Sequence, residues 1–294
     1  MIVSVVIPTR DRRDRLLATL DALDAQRLSA AVEAEVVVCD NGSSDGTAIA
    51  LAKRPRGALP VTLVSRPEGG ASHARNTALQ AAGGDVALLL GDDMVPAADD
   101  LLDAHARLHA QHPEDGYAVL GRIAWARPTD FMRWTERAGL QFSFDDLQAG
   151  PVDPARHLYS SHASLKLGLL REAGFDERFP FLGEDIELGV RLARQGLVLD
   201  YRPELLVHHH HQQDVEAFAG RMEAIGAASR RLCEVHPRDA PRELTRPNAK
   251  WALYPFAAPV GRALLRAGAR GRTRDRAWTA IVMRAYVRGW RGQS

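Results

Sequence analysis

An alternation between short apolar runs and segments of helical period fills residues 1–90, and it constrains the fold more than any other feature of the chain. Val3–Ile7, Val36–Cys39, Val61–Val64 and Val86–Leu90 are the apolar runs. Between the first two, Leu16, Leu17, Leu20 and Leu23 share one helical face. Ala71–Ala82 reads as a second helix, closed by Gly83 and Gly84. Nearly continuous apolar strands separated by helices specify a parallel sheet covered on both faces.

In such a sheet, ligands bind outside the carboxyl ends of the strands. The sequence places Pro8, Thr9 and Arg10 after the first strand, Asp40 and Asn41 after the second, and Asp92 and Asp93 after the fourth. No G-x-G-x-x-G follows the first strand, and no G-x-x-x-x-G-K-[ST] occurs anywhere. A dinucleotide-dependent dehydrogenase and a P-loop NTPase are therefore poor readings. Carboxylates repel phosphate, yet they hold it through a divalent cation. With Asp40 accepting from a ribose or base, this edge suits a nucleotide diphosphate bridged by metal.

The chain has 294 residues, room for one large domain or two at about 150 residues each. Its 46% apolar and 26% charged content is that of a soluble globular protein. Two cysteines, Cys39 and Cys233, are too few for a disulfide framework and read as free thiols. The opening MIVSVVIPTR has no basic segment before its apolar run and does not read as a signal peptide. No apolar run approaches the ~18–20 residues of a membrane span, so a cytoplasmic location is expected.

Residues 99–211 are less regular. Asp99–Gln111 reads as a helix, Tyr117–Ala124 as extended, Gly150–Pro154 as a loop and Ser164–Lys166 as a short strand. A helix begins near Glu184, with Ile186, Val190 and Ala193 as its apolar stripe. Glu184, Asp185 and Glu187 gather at its start, where acidic groups complement the helix dipole whether or not they do chemistry.

Four separated segments then carry a pattern: SVVIPTRDR, DNGSSDGT, GGASHARNTALQAAGGDVALLLGDDMVP and FDERFPFLGEDIELGVRL. In this order and spacing they resemble the family 2 glycosyltransferases, over roughly residues 1–211. The resemblance implies a GT-A fold and an inverting transfer of a sugar from a nucleotide diphosphate sugar, assisted by Mg²⁺ or Mn²⁺. Carried over by position, Pro8, Thr9 and Arg10 flank the nucleotide, Asp40 contacts base or ribose, and Arg75 approaches the base or diphosphate. Asp92 and Asp93 fall in the D-x-D region, with Asp93 the metal ligand. Glu184 lies at the donor site, Asp185 is the catalytic base, and His208 assists with metal or diphosphate. Where the family commonly reads L-D-D-D, this chain reads Leu90-Gly91-Asp92-Asp93. Either Asp92 takes over part of the missing carboxylate's role, or metal binding leans on Asp93 and His208. A histidine ligand favours Mn²⁺ over Mg²⁺. Glu184 and Glu187 are expected to raise the Asp185 pKa and improve it as a base.

Charge divides the chain. Residues from Gln212 onward hold sixteen basic and seven acidic side chains, a net of +9, against −8 for residues 1–211. Val215–Val235 reads as a helix. Trp251–Ser294 holds nine arginines and a single acid, Asp275. From Arg276 onward Trp278, Ile281, Val282, Ala285 and Tyr286 share one helical face, with Arg284, Arg288 and Arg291 on another. Such a helix suits an anionic membrane surface or packs internally with its arginines solvated. A surface role makes a peripheral position at the inner membrane face the expectation, and a lipid-linked or polysaccharide acceptor fits it.

The architecture expected is thus α/β: a GT-A type, Rossmann-like, mostly parallel sheet with helices on both faces. Residues 1–211 would form the catalytic domain, with 1–98 binding nucleotide and 99–211 the acceptor, and 212–294 a helical basic extension. The partners expected are a nucleotide diphosphate sugar donor and a glycan or lipid-linked acceptor, with no nucleic acid. Two rivals stand beside the transferase. A sugar-phosphate nucleotidylyltransferase would want a glycine-rich loop after strand one, and a catalytically degenerate domain would bind nucleotide sugar as a scaffold.

Overall fold

The four apolar runs become strands β1 (Ile2–Thr9), β2 (Glu33–Asp40), β3 (Val61–Ser65) and β4 (Val86–Leu90) in a computed structural model that describes residues 1–67, 69–142, 144–241 and 249–292. Helices α1 (Arg13–Asp24), α2 (Thr47–Lys53) and α3 (Gly70–Ala81) connect them. β1 runs parallel to β2 and β4, and β2 parallel to β3. Every residue of β4 is buried, which explains its unbroken apolar sequence.

The chain continues through β5 (Met94–Pro96), α4 (Leu101–Gln111), β6 (Tyr117–Trp125), α5 (Asp130–Arg137), β7 (Gly150–Val152) and α6 (Pro154–His157). Then come β8 (His162–Lys166), α7 (Leu167–Ala173), α8 (Glu184–Arg194) and β9 (Val198–His209). The sheet order is β3-β2-β1-β4-β8-β6-β9-β5, with β7 paired to β9. β8 runs antiparallel to both β4 and β6, β6 and β9 are parallel, and β5 and β7 lie antiparallel to β9. The sheet is therefore parallel through β1–β4 and mixed beyond. Gly150–Val152 pairs as a short strand where the sequence suggests a loop, because three residues carry no measurable alternation.

The described residues form two compact units. The first comprises Met1–Ala126 and Asp146–His211, the second Arg127–Asp145 and Gln212–Ser294. Beneath β8 in the first unit lies a buried polar chain. His162 Nδ1 is 3.2 Å from the Arg122 carbonyl oxygen, so that nitrogen carries the hydrogen. Its Nε2 then accepts from His105 Nε2 at 3.2 Å. His105 Nδ1 in turn accepts from the Ser164 hydroxyl, which accepts from His109 Nε2, each at 2.8 Å. Burial lowers the pKa of His109 and His162 to about 4 and that of His105 well below the ordinary imidazole value, so the three rings are neutral.

The second unit contains α5, α9 (Val215–Val235), a 3₁₀ turn at Ala249–Ala252, α10 (Tyr254–Arg266) and α11 (Gly271–Arg291). Asp214 caps α9 by accepting from the backbone N–H groups of Glu216 and Ala217. The core is aromatic: Phe131, Trp134, Phe218, Trp251, Trp278 and Tyr286, with Met222, Ile281 and Val282. The Phe131 ring meets Phe218 and Trp278 edge-on, at 5.7 and 5.3 Å between centroids. α9 and α11 approach backbone to backbone at two glycines. A Cβ on Gly226 would fall 2.1 Å from the Tyr286 carbonyl oxygen, and one on Gly289 1.8 Å from that of Glu223.

Candidate active site

The carboxyl ends of β1, β2 and β4 are tied together by side chains. Thr9 and Asp40, the last residues of their strands, are register partners. Thr9 Oγ1 donates to Asp92 Oδ2 at 2.8 Å, just past β4. Asp40 Oδ1 accepts from the Ser43 backbone N–H at 2.9 Å, so the D-N-G-S turn is an Asx-turn as well as a strand end. Next to it the Asn41 Oδ1 atom is buried without a hydrogen bond.

Asp92 and Asp93 are both buried, and both bind Arg12 at the start of α1. Arg12 Nη1 lies 3.0 Å from Asp92 Oδ1 and 2.9 Å from Asp93 Oδ2. Arg15, one turn along, reaches to 3.8 Å from Asp93 and donates to His211 Nδ1 at 2.8 Å. Burial raises the Asp92 pKa against the opposing pull of Arg12. For Asp93 burial is outweighed by the His209 hydrogen bond and the nearby charge of Arg12, which bring its carboxyl down to about 2.

Asp93, His209 and His211 each offer one ligand atom, and these atoms lie within 4.8 Å of one another. His209 Nε2 is 3.2 Å from Asp93 Oδ2. One carboxylate oxygen with two imidazole nitrogens fits a divalent cation, and imidazole suits Mn²⁺ better than Mg²⁺. His208, the histidine expected from the sequence, is not part of this group. Side chains alternate across a strand, so His209 shares the Asp93 face of β9 and its neighbour His208 faces the other way. Gly91 adds no carboxylate, and a Cβ there would sit 3.3 Å from Asp93 Oδ1 and 3.0 Å from Met94 Cγ. Two imidazoles stand beside Asp93, and Asp92 is engaged by Thr9 and Arg12.

The first turn of α8 joins the same edge. Asp185 accepts from the Ile186 N–H at 2.9 Å and from the Ser160 backbone N–H. The next residue, Ser161, accepts at its carbonyl from the Gly91 N–H at 3.2 Å. Two hydrogen bonds and one peptide unit thus connect Asp185 to the Asp92–Asp93 turn. Burial, followed by the neighbouring Glu184 charge, raises the Asp185 pKa to about 6. The residue as a whole is nonetheless only half-buried. Glu187 turns away to a bidentate pair with Arg191, so it is not the neighbour that acts on Asp185.

Arg75, expected at the donor, is buried on α3 and bound to Glu184 Oε1 at 2.7 Å, with its guanidinium 5.3 Å from the Phe175 ring centre. The pair is incompletely satisfied, because Arg75 Nε and Glu184 Oε2 are buried without hydrogen bonds. Pro8 lies within β1 opposite Cys39, and Arg10 is exposed beside Asp11. The structure therefore gathers Thr9, Asp40, Asp92, Asp93, Arg75, Glu184 and Asp185 along one edge and leaves Arg10 at its surface. Arg12, Arg15, His209 and His211 were not singled out from the sequence. The signals that could have found them are the basic start of α1 after a strand end, and the alternate positions of the His208–His211 run.

A search of family models matches Glycosyl transferase family 2 over residues 4–167. Among curated proteins, the chain is 28% identical over 269 residues to the uncharacterized glycosyltransferase YfnE of Bacillus subtilis, covering 74% of this chain and 67% of YfnE. It is 31% identical over 227 residues to the O-antigen biosynthesis protein RfbC of Myxococcus xanthus, covering 70% of this chain but only 17% of RfbC. Among solved structures, the mannosyltransferase PcManGT of Pyrobaculum calidifontis, in complex with GDP-Man and Mn²⁺, superimposes with a TM-score of 0.65 at 21% identity, over 99% of this chain and 88% of PcManGT. Residues 1–349 of S. aureus TarS in complex with UDP-GlcNAc give a TM-score of 0.59 at 17% identity, over 100% of this chain and 91% of TarS 1–349. These likenesses show the GT-A fold. The family model spans more than half of the chain and both strand-end carboxylate motifs, and on that basis the chain belongs to glycosyl transferase family 2.

Proposed function

We propose that this glycosyltransferase moves a sugar, with inversion, from a nucleotide diphosphate sugar to a hydroxyl of a glycan or lipid-linked acceptor. We infer Mn²⁺, with Mg²⁺ the alternative, as its cofactor. One observation carries the reading: the Asp93–His209–His211 donor set and the half-buried Asp185 are joined at a single strand edge through Gly91, Ser161 and Ser160. Bound nucleotide sugars in the PcManGT and TarS structures support the donor class. The O-antigen assignment of RfbC supports a glycan acceptor.

A divalent cation at Asp93, His209 and His211 supplies charge neutralisation for the departing nucleoside diphosphate. Asp40 and the unpartnered Asn41 Oδ1 accept from the ribose or base. Asp185 takes the proton of the attacking hydroxyl, a contribution of about 10²–10⁴-fold for a placed general base. Burial and then the Glu184 charge hold the Asp185 pKa up, and the nearby positive charge of Arg75 limits that rise. A base on the side of the sugar opposite the leaving group gives inversion.

The test is calorimetric titration with UDP and GDP, each with Mn²⁺ and with chelator, on the wild type and on Asp93→Asn. At least one nucleotide is expected to bind in a Mn²⁺-dependent manner, with affinity lowered by roughly 10–100-fold in the variant, the range typical when metal coordination is impaired. Equal affinity with and without metal, or an unaffected Asp93→Asn, overturns the metal assignment.

A further inference from the structure

Helix α10 presents an apolar face to solvent. Leu253, Phe256, Val260 and Leu264 are exposed by 66, 78, 59 and 39%. Their spacing of three, four and four residues lines them up along about 17 Å of one helix face. Pro259 and Ala263 widen the stripe and are also exposed. The opposite side of α10 is where the unit closes: Ala258 and Gly261 are buried, and a Cβ on Gly261 would meet the Ala277 backbone. Large apolar side chains this exposed, in a row, are unusual for a protein surface that faces only water.

The surroundings of the stripe are cationic. From Ala249 to Arg274 the sequence holds six basic residues and no acid. Arg262 and Arg274 are engaged within the unit, with Glu216 and Asp130 respectively. Arg266, Arg270 and Arg272 are exposed and form no ion pair among the described residues, and Arg276 beyond them is likewise exposed and unpaired. The helix read from the sequence as a membrane candidate, α11, instead buries Trp278, Ile281, Val282, Ala285 and Tyr286 in the aromatic core. Trp251 is buried there as well. No helix among the described residues is long and apolar enough to cross a membrane.

From this geometry we propose that α10 and the arginines that follow it form a docking surface for an anionic lipid bilayer. The helix lies in the plane of the interface with Leu253, Phe256, Val260 and Leu264 among the acyl chains. Arg266, Arg270 and Arg272 meet the lipid phosphates. Charge complementarity selects this occupant over a second copy of the chain. A symmetric contact through the stripe would bring the same uncompensated cations together, whereas anionic headgroups neutralise them. The apolar stripe gives depth and the arginines give preference for anionic lipid.

The experiment is co-sedimentation of the full chain with vesicles of phosphatidylcholine alone or containing about one-third phosphatidylglycerol, over a range of salt. The wild type is expected to partition onto the anionic vesicles and to be released as salt rises. Leu253→Ser with Phe256→Ser should weaken partitioning by at least ~10-fold, since two buried side chains are lost from the bilayer. Arg266→Gln, Arg270→Gln and Arg272→Gln together should remove the preference for phosphatidylglycerol. Both variants replace exposed side chains, so the wild-type melting temperature and nucleotide affinity should persist, which separates this surface from the active site. Absence of wild-type binding to anionic vesicles overturns the proposal, as does undiminished binding by Leu253→Ser/Phe256→Ser. A concentration-dependent dimer that the same double variant dissolves overturns it too, and gives the face to a second copy.

Discussion

All the buried Asp, Glu and Arg side chains among the described residues belong to the first unit: Asp40, Arg75, Asp92, Asp93, Asp103, Glu184, Glu187 and Asp200. In the second unit the corresponding groups stay at the surface, paired as Arg262–Glu216, Arg274–Asp130 and Arg288–Glu223. Its interior is aromatic and aliphatic, and some apolar surface is left outside on α10. Burying a charge costs several kcal/mol unless partners compensate, so a fold that gathers many at one strand edge is stabilised there by specific pairings rather than by packing. Perturbed carboxylates concentrate where chemistry is done. The contrast is the physical basis for proposing that the reaction belongs to the first unit, which concentrates the buried charge, while the second is built on an aromatic core and leaves apolar surface exposed.

The largest effect on this contrast should come from Glu184→Gln and Arg75→Gln. Each leaves one buried partner uncompensated, and a loss of about 3–5 kcal/mol is expected for breaking such a pair, read as a shift in the urea midpoint. The two variants should also move the pH dependence of transfer in opposite directions. Removing the Glu184 charge lowers the Asp185 pKa, so activity persists to lower pH; removing Arg75 raises it, so activity fails at higher pH. Equal stability in both variants, with unmoved pH profiles, would mean that the pair is solvated and the edge is not electrostatically built.

A smaller effect, confined to the second unit, is expected from Gly289→Ala. Its Cβ meets the Glu223 carbonyl of α9, and forcing the helices apart should cost about 1–3 kcal/mol. Four of the five tryptophans, Trp134, Trp251, Trp278 and Trp290, lie in this unit and only Trp125 in the first, so tryptophan fluorescence reports mainly its unfolding. An unshifted fluorescence transition would show that α9 and α11 pack more loosely than their backbones indicate.

The sequence revealed β1–β4 and the carboxylates at their ends because period-2 and period-3.6 patterns determine which residues end a strand. Asp40, Asp92 and Asp93 therefore fall where expected. The residues that complete the site were hidden for specific reasons. Arg12 and Arg15 reach Asp93 because of the rotation of α1 about its axis, which no local pattern encodes. The choice of His209 and His211 over His208 depends on strand register, where a slip of one residue exchanges the faces. In the basic segment, Trp251 and Phe256 look equally suited to an interface. Only the packing of α10 shows that the first is buried and the second exposed.

The most direct test of the central claim, that Asp185 removes the acceptor proton at the edge held by Asp93, is the pH–rate profile of Asp185→Asn beside the wild type. Transfer from the nucleotide sugar that binds most tightly would be followed at saturating metal. The wild-type rate should fall as pH drops through about 6, where Asp185 becomes protonated. Asp185→Asn should lose about 10²–10⁴-fold in kcat at neutral pH, keep its nucleotide affinity and melt no lower, since the change removes an ionised group that its surroundings disfavour. A variant that transfers sugar at the wild-type rate, with the same pH profile, would contradict the account.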